Sequence, residues 1–341
     1  MSIATVPAPE LTIMDRLPDG FLQASARDLH RLLPGPTLIE LPGEREAPLF
    51  VSILMHGNED SGLGAMQRVL AKWQDRPLPR SLMLMVGNVA AAREGLRRLD
   101  SQPDYNRVWP GAEPHLAEVR EARLMATVHA RVVERGAFAA LDLHNNTGRN
   151  PHYAVVTHRE PQVLALAALF ARRAVLFLGL PGTQTASFDG LVPAITAECG
   201  QPGVPANAEA AAQLVEAVLA LDELPQAMPE SDALELFHTI GVVHVRPDIA
   251  FDFGDEACAL NLSPTLDRLN FRMVDAGTAF GTTTLPQPLE VIDEAGRDIA
   301  ADLFTVEDGT LRLTRSALPA MLTVDPQIVK QDCLCYLMER I

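Results

Sequence analysis

Seven short apolar runs recur between Thr37 and Leu221, separated by longer helix-forming stretches, and this order restricts the chain to a layered α/β fold. The runs are TLIEL, LFVSILM, LMLMVG, FAALDLH, YAVVTH, AVLFLG and AITAECG. They are apolar almost throughout rather than alternating, so the sheet they form must be covered on both faces. The stretches between them, GLGAMQRVLAKW, HLAEVREARLMATVHARVVERG, EPQVLALAALFARR and NAEAAAQLVEAVLALDEL, are rich in Ala, Leu, Glu and Arg, and the second ends in Gly136 as a helix C-cap would. Ahead of the first run, LPDGFLQASARDLHRLLPGP predicts a short helix leading into a strand.

The pattern changes after LDELPQAMPESDA, which carries two prolines and four acidic residues and reads as a linker. Beyond it the runs GVVHVRP, LNFRMV, PLEVIDEAGRDI, LRLT and CLCYLMERI, punctuated by DAGT, EAGR and EDGT, predict short strands and turns. The expected division is an α/β unit over residues 1–225 and a small β-rich C-terminal domain over 226–341.

Charge narrows the partners. Lys and Arg number 28 against 44 Asp and Glu, a net charge of −16, so the field of the protein repels nucleic acid and anionic membrane surfaces. No apolar stretch approaches the ~20 residues that span a bilayer, and the opening MSIATVPAPELTIMDRLPDG lacks a basic segment followed by an apolar one, so a cytoplasmic protein is expected. Four cysteines in 341 residues fit a reducing compartment better than a disulfide framework.

Chemistry concentrates where apolar runs end. LFVSILMHGNEDSG ends a strand at His56 and places Glu59 three residues later in a Gly-containing turn; AFAALDLHNNTG ends another at Asp142 and His144. Ligands of open α/β sheets bind beyond the carboxyl ends of the strands, so these residues converge if their strands are neighbours. Two imidazoles and a carboxylate make a catalytic zinc set with a position left for water or substrate. Taken singly, H-x-x-E is a common chance spacing, and a loop histidine is the blander reading of His56. Asp142, two residues before His144, shares its face and suits either a buried polar role or the orientation of an imidazole. PAITAECG ends a further run at Glu198, an exposed strand end or a general base. Asn88, Arg97, Asn106 and Arg107 lie in GNVAAAREGLRRLDSQPDYNRVWPG; guanidinium groups suit a substrate carboxylate or an oxyanion, although an arginine cluster in an acidic chain is more often a solvated face.

Together these motifs resemble the succinylglutamate desuccinylase and aspartoacylase family of the zinc carboxypeptidase group, over about Pro36 to Pro202. The matching pieces are H-G-N-E (His56 to Glu59), G-N with a later arginine (Gly87, Asn88, Arg97), D-x-N-R-x-x-P-G (Asp104 to Gly111), D-L-H-N (Asp142 to Asn145) and E-x-G (Glu198 to Gly200). The resemblance implies a carboxypeptidase-like mixed sheet flanked by helices, with a small β domain that narrows the entrance. It implies one zinc per chain on His56, Glu59 and His144, Glu198 as general base, and Arg97 polarising the scissile carbonyl. Asn106 and Arg107 would contact the substrate carboxylate. The expected activity is hydrolysis of the amide of a small N-acyl amino acid; a carboxypeptidase acting on a peptide C-terminus and a non-catalytic metal-binding relative are the rivals, and homo-oligomerisation stays open.

Two features depart from the family pattern. Relatives acting on acyl-aspartate or acyl-glutamate carry an arginine shortly before the glutamate, whereas PGTQTASFDGLVPAITA contains no Arg or Lys but does contain Asp189, so a neutral or cationic amino-acid portion is expected. Tyr105 and Trp109 stand where smaller or aliphatic residues are commoner. Tyr153 reads as a packed strand residue, the remaining histidines as structural or surface groups, and Cys333 and Cys335 as strand thiols. Cys199 should face away from Glu198, against a role as nucleophile.

Overall fold

The computed structural model describes residues 11–341 apart from 231 and 256, so the first ten residues of the opening segment lie outside the described residues. Each of the seven apolar runs contributes a strand to one sheet. With a short first strand they are β1 (Thr12–Met14), β2 (Thr37–Leu41), β3 (Gly43–Ile53), β4 (Leu78–Val86), β5 (Ala139–His144), β6 (Tyr153–Val156), β7 (Arg173–Leu176) and β8 (Ala194–Glu198). Their spatial order is β1-β2-β4-β3-β5-β8-β6-β7. The centre is parallel (β4, β3, β5, β8), while β2 on β4 and β6 on β8 run antiparallel, which makes the sheet mixed.

Strand β5 shows why the runs are apolar on both faces. Leu141 and Leu143 enter one core with Ile53 of β3, with Met66 and Val69 of the helix Ser61–Lys72 and with Leu214 and Val215 of the helix Pro205–Ala220. Ala140, the residue before Leu141, enters the opposite core with Phe50 and with Met125 and Val128 of the helix Arg120–Glu134. Alternate residues of one strand thus feed two helix layers, and each large side chain so buried contributes about 1.5–3 kcal/mol. Gly136 (φ 61°) ends the helix Arg120–Glu134 in the left-handed region. The segment expected as a helix before the first run instead forms two 3₁₀ turns, Phe21–Gln23 and Ala26–Arg31; Gly20 (φ 87°) precedes the first and Ser25 caps the second through Asp28 N–H. The left-handed Gly20 and the extended Ala24 and Ser25 split the segment into pieces too short for an α-helix.

The sheet continues into the C-terminal part. β9 (Glu235–Val245) starts ahead of the run GVVHVRP and pairs in parallel with β7. The strands β10 (Phe251–Phe253), β11 (Leu260–Leu262), β12 (Ala279–Thr283), β13 (Leu289–Ile292), β14 (Phe304–Glu307), β15 (Thr310–Leu313), β16 (Leu318–Ala320) and β17 (Cys335–Arg340) follow. β13, β16 and β17 extend the main sheet to twelve strands, and β10-β11-β12-β15-β14 form a second sheet. In EDGT, Asp308 (φ 48°) and Gly309 (φ 73°) make the hairpin between β14 and β15. LNFRMV departs from expectation: Phe271 turns left-handed (φ 55°), Asn270 bonds to the Asp267 and Leu322 backbones, and Val274 makes a single bridge to Ala317. No described helix is long and apolar enough to cross a membrane.

Candidate active site

Strands β3, β5 and β8 are parallel neighbours, with Ser52 opposite Asp142 and His144 opposite Glu198, so their carboxyl ends share one edge of the sheet. Beyond β3 the chain turns at Leu54, a buried residue held in the left-handed region (φ 54°) at a cost of order 1–3 kcal/mol, and His56 leaves the sheet plane. Gly57 then passes against the helix Val89–Glu94 so closely that a Cβ would stand 2.1 Å from Ala92 N. Only glycine fits between His56 and Glu59 at that position.

The three expected ligands come together: donor atoms of His56, Glu59 and His144 lie within 4.8 Å of one another, all buried. His56 Nδ1 is 2.8 Å from Glu59 Oε1 and His144 Nδ1 is 2.8 Å from Glu59 Oε2. The other nitrogen of each ring is held by an aspartate, His56 Nε2 by Asp104 at 3.0 Å and His144 Nε2 by Asp142 at 2.8 Å. Asp142 is itself fixed by Ser52 Oγ at 2.6 Å and Asn106 Nδ2 at 3.0 Å. Both imidazoles are therefore oriented through Nε2 and present Nδ1 to one point, the arrangement that ligating histidines use. Burial and Arg97 push His56 toward neutrality, and burial does the same to His144, but Glu59, Asp104 and Asp142 hold both rings above their ordinary range. Burial would raise Glu59, yet the two histidines hold it far below the usual carboxylate range. Such a cluster favours positive charge at its centre, and its two nitrogens and carboxylate oxygens suit a zinc ion.

The segment from Asp104 to Gly111 has no regular structure and is pinned from beneath. Tyr105, Val108 and Trp109 are fully buried, the indole meeting Phe50 edge-on and lying beside Phe188. These large residues anchor the loop while Asn106 and Arg107 line the pocket and Asp104 reaches His56 Nε2. Asn106 lines the pocket, but its amide is committed: Nδ2 lies 3.0 Å from Asp142 and Oδ1 accepts from Gln184 N–H at 2.8 Å. Arg97 is buried with Asp104 at 3.0 Å and Glu59 at 3.6 Å.

Glu198 lines the same pocket, with Asn146 Nδ2 donating to it at 3.2 Å. Burial, opposed by His144, pushes its carboxyl up to about 7. The wall beyond it carries Val155, Phe177, Leu180, Thr183, Thr185 and Thr196 and no ionisable group. Asp189 is not a lining residue; it accepts from Oγ1 of Thr157, which is one, and pairs with His158 at 2.9 Å. Cys199 is buried and its thiol donates to Ala197 O; Cys333 and Cys335 enter different cores. Tyr153 is packed against Phe271.

Among the lining residues that went unmarked in the sequence are Met321, Asp332 and Tyr336. All come from the C-terminal part, and nothing in their local pattern points to a site. Asp332 bridges two guanidiniums, Oδ2 at 3.2 Å from Arg97 and Oδ1 at 3.2 Å from Arg107.

Comparison with solved structures finds the same fold at low identity. Succinylglutamate desuccinylase from Chromobacterium violaceum aligns with TM-score 0.56 and 17% identity over 87% of this chain and 86% of its own. Murine aminoacylase 3 aligns with TM-score 0.54 and 17% identity over 87% of this chain and 95% of its own. The product-bound ectoine utilization protein EutE (DoeB) from Ruegeria pomeroyi aligns with TM-score 0.53 and 15% identity over 88% of each chain. No curated protein sequence matches. The model of the succinylglutamate desuccinylase/aspartoacylase catalytic domain matches residues 49–224, just over half of the 341 residues and the span that carries His56, Glu59, Arg97, His144 and Glu198. The chain belongs to the succinylglutamate desuccinylase/aspartoacylase family.

Proposed function

We propose that the protein is a zinc-dependent deacylase that hydrolyses the amide bond of a small N-acyl amino acid. The observation that carries the reading is the convergence of His56, Glu59 and His144 beside the buried Glu198 in one pocket. Zinc held by the three donors would supply Lewis-acid polarisation and acidify water. Glu198 takes the proton of the attacking water as the new C–O bond forms, and returns it to the nitrogen as the C–N bond breaks, so the leaving group departs as a neutral amine. A carboxyl raised to about 7 suits both transfers near neutrality. Arg97, fixed by Asp104, donates to the developing oxyanion. Arg107, beside Asn106, meets the carboxylate of the amino-acid portion.

Small substrates are favoured over peptides because Met321, Asp332 and Tyr336 lean over the pocket from the C-terminal part. Of the two expected kinds of amino-acid portion, the neutral one fits, since the far wall holds hydroxyl and apolar groups and Asp189 is engaged elsewhere. The test is metal content of the purified chain together with turnover of a panel of N-acyl amino acids before and after chelation. About one zinc per chain and activity restored by zinc are expected; a chain that binds no zinc even when it is supplied removes the reading.

A further inference from the structure

The charged wall of the pocket is satisfied from within the chain. Asp332 sets one carboxylate oxygen on Arg97 and the other on Arg107, each at 3.2 Å. Each guanidinium has a further partner: Arg97 also meets Asp104 at 3.0 Å, and Arg107 NH1 donates to Asn106 O at 2.9 Å, while Arg97 Nε has no hydrogen-bond partner among the described residues. The Asp332 backbone is held independently of the arginines. Its N–H donates to Ile328 O at 2.9 Å, at the end of the helix Pro326–Gln331, and its carbonyl stands 3.0 Å from His244 Nδ1. The carboxylate is therefore delivered to the guanidinium pair by a fixed segment.

A substrate carboxylate that uses Arg107 must displace this group or lie beside it. Displacement breaks a charge-assisted hydrogen bond to Arg107 and an ion pair with Arg97, and coexistence sets two negative charges together in a largely buried place. The opposite wall supplies no second cation. We propose that Asp332 is a specificity-determining residue: a built-in competitor for the carboxylate of the substrate, which lowers the preference of the site for acids and lets it accept acyl compounds that are uncharged at this end. The inference rests on the proposed role of Arg107 as the substrate-carboxylate contact.

The test compares an N-acyl amino acid with its amide, for example N-acetylmethionine and N-acetylmethioninamide, on the zinc-loaded protein. Wild type should hydrolyse the two with kcat/KM within about threefold. Asp332→Asn should raise the acid-over-amide ratio by about tenfold or more, through a lower KM for the acid at nearly constant kcat. Calorimetric binding of N-acetylmethionine in a Glu198→Gln background, where turnover is removed, should tighten by a similar factor when Asp332→Asn is added. Because Asp332→Asn takes a counter-charge from two guanidiniums, its folding is checked by thermal unfolding, and the wild-type ratio stands as an independent arm. A wild-type preference for the acid above about 100-fold overturns the inference whether or not the variant folds. An unchanged ratio in folded Asp332→Asn overturns it and leaves the deacylase intact. Failure of wild type to bind or hydrolyse either compound overturns both readings.

Discussion

His56, Glu59, His144 and Glu198 stand on or just beyond the ends of adjacent parallel strands, whereas Met321, Asp332 and Tyr336 reach the same pocket from segments far along the chain. The first wall is stiff because His56, Glu59 and His144 are each held at least twice, with the Glu198 side chain tied, among the described residues, by Asn146 alone. Each imidazole has an aspartate at Nε2, Asp142 has Ser52 and Asn106, and Glu59 accepts from Asn145 N–H at 3.0 Å. The second wall belongs to the C-terminal part, which continues the same sheet through β7 and β9, and it meets the arginines of the pocket through the side-chain pairs of Asp332 with Arg97 and Arg107. Both walls contain a left-handed non-glycine residue, Leu54 and Met321, so each bends sharply to bring its side chains in. The difference teaches a division of labour: chemistry belongs where geometry is over-determined, and selectivity where it rests on exchangeable contacts.

Substitution of either histidine should have the largest effect. His56→Ala and His144→Ala should each lose bound zinc, read by elemental mass spectrometry, and activity on the order of 10³-fold or more; zinc retained at wild-type stoichiometry by both would break the assignment of the strand-end wall. Next comes Glu198→Gln, expected to keep zinc and lose about 10²–10⁴-fold in kcat. The wild-type pH profile belongs with it: burial disfavours the charged form of Glu198, the base is present above about 7, and kcat/KM should therefore rise with pH through that value and then level. A flat profile between pH 5 and 8 would argue for another base.

Asp104→Asn and Asp142→Asn remove the groups that orient the imidazoles and should weaken zinc affinity by about 10–100-fold, measurable by competition with a chelator. Equal affinity in wild type and both variants would show that the double anchoring is dispensable. The smallest effect is expected on the opposite wall, where Met321→Ala should change KM by roughly 2–10-fold while zinc content and kcat hold. A large fall in kcat there would erase the contrast between the walls.

The apolar runs determined the covered sheet, and their ends marked where chemistry would gather, because strand length and strand-end position are local properties of the chain. Local pattern also carried the helices and the EDGT hairpin. Other features were illegible for a stated reason. β9 pairs with β7, and four strands of the C-terminal part join the main sheet, because strand partners are chosen by tertiary packing and not by the strand itself. LNFRMV has strand-like composition, yet the bonds of Asn270 and the left-handed turn at Phe271 override it.

The same distinction holds in the pocket. His56, Glu59, Asp142, His144 and Glu198 could be named from the sequence because each lies in a short motif tied to a strand end. Tyr105 and Trp109 were visible as unusual, but their use as anchors under the Asp104 to Gly111 loop depends on Phe50 and Phe188, supplied by other segments. The role of Asp104 at His56 Nε2 and the bridge made by Asp332 arise between residues 48 and 225 positions apart from their partners. Sequence alone decided the layered fold, which follows from periodicity, and marked His56, Glu59, His144 and Glu198 as strand-end candidates that the family resemblance joins into one set; only the tertiary structure decided which carboxylates hold the imidazoles and which one occupies the arginines, because electrostatic partnership is fixed by distance in space.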